Sequence, residues 1–285
     1  MSISVSYIIP TLNYSTSQIN RYFSLFIVLF GTIGNVLNVL VFSRGSLRTN
    51  PCAVYFLSSS ILALLCLYSG ISSRILLGFG VDPSTTSTVL CKLRIYTVYV
   101  TATISAWCTA FATVDRYFCS CQSVYLRNLS KLKISYRLIT VATVASLLIY
   151  MEIFYCYEAN QISGPFPCYG KNSACRYFNS LVYAFFYIIL PLMVMVIFGI
   201  LTVGNVRKLN RLVAPASSTI GGSTALAPTV SSKKNDRQLT KMLLVQVLIL
   251  TILNVPYAIQ LVYSTFSANI YKSPLQLAIE NFCFA

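Results

Sequence analysis

Six stretches of this sequence are long and apolar enough to cross a membrane, and little else can be built from them. They run roughly over residues 23–43, 53–72, 95–118, 138–157, 178–203 and 239–266. A helix rises about 1.5 Å per residue, so about 20 apolar residues cross the roughly 30 Å of bilayer hydrocarbon. Helices are the predicted form, because a lipid-exposed backbone must satisfy its own polar groups. A further apolar run begins near Leu275, and the eleven residues to Ala285 are too few to cross. The sequence therefore predicts an all-α membrane protein with six spans and the start of a seventh. Composition agrees: 9% of the 285 residues are charged, against about 25% in an ordinary soluble domain. There is no histidine, which excludes Ser-His-Asp chemistry, His-ligated zinc and HExxH proteases. No enzyme, cofactor or metal is expected.

The net charge of +15 would suit nucleic acid on a soluble fold, but here it has another use. Fourteen of the 21 Lys and Arg residues fall on one side of the spans, in the 1–2, 3–4 and 5–6 loops. Positive loops stay in the cytoplasm, so the N-terminus is expected outside. Residues 1–22 hold no signal-peptide run and read as an extracellular tail, with span one as the insertion signal. Residues 23–285 read as the membrane domain. Asn13-Tyr14-Ser15 is a glycosylation sequon in that tail. Residues 205–238 form the cytoplasmic third loop, and the Pro/Gly/Ser/Thr-punctuated run within it reads as flexible linker. Basic residues next to the spans would contact lipid headgroups.

Charges inside the spans gather at the ends. Asp115-Arg116-Tyr117 closes span three. Cys91 lies 25 residues before Arg116, about 37 Å along a helix, so the two stand at opposite faces. The outer face is oxidising, and Cys91 can bridge to Cys168 or Cys175 in the 4–5 loop. Pro191 and Pro256 interrupt spans five and six, where each removes a backbone donor and kinks its helix.

Together these features resemble a rhodopsin-like (class A) G-protein-coupled receptor. Gly34-Asn35 resembles that family's span-one pair, and Asp115-Arg116-Tyr117 its span-three motif. Cys91, Pro191 and Pro256 stand at matching places, and Thr49-Asn50-Pro51-Cys52 into Tyr55-Phe56-Leu57 is similar to invertebrate peptide receptors. The resemblance covers residues 23–285 and implies a seven-transmembrane bundle whose seventh helix is incomplete in this chain. It also implies a plasma-membrane location, an extracellular ligand and a heterotrimeric G protein as partners. Departures are plain: Ala63 replaces the sodium-site acid, Thr143 stands near the span-four tryptophan position, and Leu253-Asn254-Val255-Pro256 lacks the span-six aromatic.

The resemblance implies a switch in which Arg116 is held by acids at rest, with Asp115 beside it and Asp236 as an interhelical partner. Span six would swing about Pro256, and Lys241 would meet the G protein. The ligand site is expected in the outer half, with Arg74, Tyr99, Tyr257, Gln260 and Glu280 as contacts. Val98 occupies the place of the amine-receptor aspartate, so a neuropeptide-like peptide is favoured over a cationic amine. The competing readings are a transporter or channel, or a truncated receptor that does not signal. Transporters carry repeats and mid-membrane charges, and this sequence has neither.

Overall fold

Asn50-Pro51 starts a helix by simple chemistry: the Asn50 side chain accepts the Cys52 N–H at 3.0 Å, and proline needs no donor at the first helical position. Helices begun in this way build nearly the whole molecule. The structure, a computed structural model, describes residues 2–161, 167–213, 227–266 and 273–284. Six described helices are long and apolar enough to span: Ile8–Phe42, Pro51–Gly78, Thr88–Ser120, Leu132–Cys156, Ser173–Val206 and Val245–Tyr263. An eleven-residue helix, Pro274–Phe284, follows and packs against the N-terminal helix Ser2–Gln18.

Span three is the most buried of the six. Its outer half packs Val100, Ile104 and Cys108 against Tyr150 and Ile153 of span four and Tyr183 of span five. Its inner half packs Ala110 and Ala112 with Tyr55 and Phe56 of span two and Met195 of span five. Small residues let helices approach closely in lipid, and hydroxyls then bridge them. Ser59 and Ser105 do so, with hydroxyls 2.9 Å apart and each donating to the other's carbonyl at 3.1 Å. Large apolar side chains on spans one, four and six, such as Leu37, Leu148 and Ile252, face outward, where lipid is the solvent.

Proline shapes span five locally. Pro191 is buried and cannot donate to the preceding turn. The chain before it winds as a π-helical turn, Ala184–Ile189, and the Phe186 carbonyl there accepts from Trp107 Nε1 at 3.1 Å. Pro256 lies within the continuous helix Ala227–Phe266.

Two boundaries differ from the sequence reading. The helix that carries span one begins before residue 23: it runs from Ser2 through a π turn at Ile19–Phe23. Likewise, helices Leu190–Val213 and Ala227–Phe266 enter the 205–238 loop from both sides, while residues 214–226 lie outside the described residues. The helix before residue 23 has a tertiary support. Arg21 Nε and the Ser17 hydroxyl both donate to the Gly78 carbonyl at the top of span two, and the Arg21 guanidinium lies over the Phe79 ring. A Cβ at Gly78 would meet Arg21 Cγ at 2.8 Å. Gly78→Val should therefore displace Arg21 and destabilise the chain by about 1–3 kcal/mol, read as a lower unfolding midpoint in detergent. Gly34→Ala, whose Cβ would meet nothing within 4 Å, should not lower it.

Candidate functional site

Two cysteine bridges build the end of the bundle that the sequence expects to be the outer one. Cys91 at the top of span three is bonded to Cys168, and Cys156 at the end of span four is bonded to Cys175 at the start of span five. Between them lies a small antiparallel hairpin, Tyr157–Glu158 with Tyr169–Gly170. Of the two partners the sequence left open for Cys91, the structure uses Cys168. Cys156 was hidden because it lies in an apolar run, where a cysteine passes as a small apolar residue. Pairing arithmetic was the available signal: four outer cysteines make two bridges.

A polar chain runs under the hairpin. Tyr157 is buried, and burial pushes its phenol above the ordinary range, so it remains a donor. It donates to Asn179 Oδ1 at 3.0 Å, while Asn179 Nδ2 donates to Glu152 Oε1 at 3.0 Å. The Tyr99 and Tyr157 hydroxyls stand 3.3 Å apart, and the Tyr99 ring stacks on Tyr183 at 4.1 Å. These contacts tie spans three, four and five to the hairpin.

Below the hairpin lies a cleft of roughly 790 Å³. Arg74, Tyr99 and Tyr257, the ligand-contact candidates of the sequence, line it, and so do Val98 and Ala63. Arg94, Tyr157 and Tyr183 also line it, and they were missed. Gln260 is not among its lining residues, and span six contributes Gln246, Leu250, Leu253, Asn254, Tyr257 and Leu261. The Glu280 side chain lies outside the described residues. Among the described residues no cluster of His, Cys, Asp or Glu could hold a metal ion.

The inner end carries the second constellation. Asp115 and Arg116 are both buried. Arg116 Nη2 donates to Asp115 Oδ2 at 2.8 Å and to Asn50 Oδ1 at 3.0 Å, and the Ser130 hydroxyl donates to Asp115 Oδ1 at 2.5 Å. One oxygen of Asn50 thus caps span two and holds the span-three arginine. Tyr117 meets Phe198 of span five edge-on at 5.3 Å. The side chains of Asp236 and Lys241 lie outside the described residues, so the partners seen for Arg116 are Asp115 and Asn50. Asn50 was missed as a partner because nothing in the sequence places it beside Arg116.

The arrangement can bind a ligand at one end of span three and hold a buried charge pair at the other. None of the curated proteins compared matches the chain. A family model described as 7 transmembrane receptor (rhodopsin family) matches residues 34–284, nearly the whole membrane domain. The chain belongs to the rhodopsin family of seven-transmembrane receptors, a multi-pass membrane family of receptors and not of enzymes.

Proposed function

We propose that this receptor binds an extracellular peptide in the outer cleft and activates a heterotrimeric G protein at its inner face. The observation that carries the reading is the pairing of a roomy outer cleft, roughly 790 Å³ under a cross-linked hairpin, with a buried Asp115–Arg116 pair at the inner end of the same helix. Val98 supplies no charge for a cationic amine, and Arg74 and Arg94 line the cleft with no carboxylate among its described lining residues, while the tyrosine rings offer apolar faces to peptide side chains. In the resting arrangement Asp115 and Asn50 hold Arg116. Ligand binding favours a second arrangement in which span six moves about Pro256 and Arg116 is released. Asp236 and Lys241, on the cytoplasmic extension of span six, contribute to that face.

The test is a panel of G-protein dissociation reporters, one for each Gα class, in cells expressing the full chain. A synthetic library of random hexapeptides serves as the probe. Peptide-dependent dissociation, absent from cells lacking the chain, is expected. Solute uptake without any such response would instead favour a transporter. The proposed plasma-membrane orientation is tested beside it. An N-terminal epitope should be reached by antibody on intact cells, and Asn13→Gln should remove a glycosidase-sensitive mass shift. An epitope reached only after permeabilisation would overturn the orientation.

A further inference from the structure

The outer cleft has an unusual charge. Two arginines line it, Arg74 from span two and Arg94 from span three, and no carboxylate is among its described lining residues. Arg94 Nη1 reaches Asp82 Oδ2 at 3.3 Å. That carboxylate is shared: Oδ1 accepts from the Ser84 backbone N–H at 3.0 Å, and Oδ2 accepts from the Ser84 hydroxyl at 2.9 Å. Asp82 therefore orients Arg94 more than it neutralises the cleft. Arg94 Nε is buried without a hydrogen-bond partner, a state that costs stability unless something else satisfies it. Arg74 is near enough for the two guanidinium groups to repel each other, and Tyr257 lines the same cleft.

Two guanidinium groups lining one cleft, one of them with an unsatisfied buried Nε, suit an anion. Guanidinium groups bind carboxylates with paired, charge-assisted hydrogen bonds. The rings of Tyr99 and Tyr257, which line the same cleft, offer apolar faces for the side chain beside such a group. We propose that Arg74 and Arg94 form a carboxylate-recognition pair, and that the ligand is a peptide presenting a free C-terminus or an acidic side chain to them. The proposal rests on the cleft being the ligand site.

The test uses the full chain, purified in detergent and immobilised, with the random hexapeptide library made in matched free-acid and amide forms. Retained peptides are read by mass spectrometry. The wild type should enrich free-acid and Asp- or Glu-containing peptides. Arg74→Gln should lower that enrichment by about tenfold or more, as removing one partner of a desolvated charge pair does. Arg94→Gln should do the same, and Arg94→Lys should restore it in part. Arg94 also anchors Asp82, so Arg74→Gln, judged on a monodisperse preparation, decides the matter if the Arg94 variants fold poorly. Peptides retained by the wild type without preference for an acid, but lost in Tyr99→Ala, would overturn the carboxylate pair and leave the peptide site standing. Retention of oleate through both arginines, with no peptide, would overturn the peptide assignment. No retention above an unrelated membrane protein would overturn the cleft reading and this proposal together.

Discussion

Cys91→Ser and Cys168→Ser should each remove most of the folded receptor from the cell surface. Their bridge closes a sequence separation of 77 residues. Loop-closure entropy for such a span amounts to about 4.5 kcal/mol at most, and inserted helices, which never become a random chain, lower the figure. The structural loss adds to it. The bridge holds the hairpin against span three, and the Tyr157 contacts to Asn179 and Tyr99 depend on that placement. The Cys156–Cys175 bridge closes only 19 residues between adjacent span ends, so Cys156→Ser should be milder, with an entropic ceiling of about 3 kcal/mol. Surface abundance of an N-terminal epitope, divided by total protein, measures both. Equal abundance for Cys91→Ser and wild type would contradict this account of the lid.

Asp115→Ala is the second large effect. It removes the carboxylate 2.8 Å from a guanidinium whose side chain is 2% exposed. Breaking a buried pair by deleting one partner costs about 3–5 kcal/mol, because the remaining charge is stranded. The Ser130 hydroxyl loses its acceptor as well. The folded yield should fall, and the protein that does fold should show raised basal G-protein dissociation, since the resting arrangement loses more than the active one. Asp115→Asn keeps an acceptor for Arg116 and should fall between. A monodisperse Asp115→Ala with wild-type stability would show that the pair contributes little.

The spans were legible because bilayer thickness demands about 20 predominantly apolar residues in a row, whereas a soluble surface helix keeps a polar face. The residues at span-three ends were legible for the same reason, since Cys91 and Arg116 are separated by more than the hydrocarbon. What stayed hidden depends on contacts between elements. Asn50 belongs in sequence only to the short loop before span two, and only the approach of span two to the inner end of span three makes it a partner of Arg116. Arg94 carries no site signal of its own in the sequence, and its place in the cleft follows from the fold, where Asp82 orients it. The helix above residue 23 escapes a hydropathy scan because it is fixed by Arg21 and Ser17 on the Gly78 carbonyl, not by apolar length.

The central claim is that Asn50 and Asp115 hold Arg116 in the resting receptor. Asn50→Ser tests it most directly, because serine still caps span two but is too short to keep the 3.0 Å bond to Arg116. Basal G-protein dissociation in cells, normalised to surface abundance, is the measurement. A severalfold rise in Asn50→Ser, abolished by adding Arg116→Ala, is the predicted result; basal dissociation equal to wild type in a variant that reaches the surface normally would contradict it.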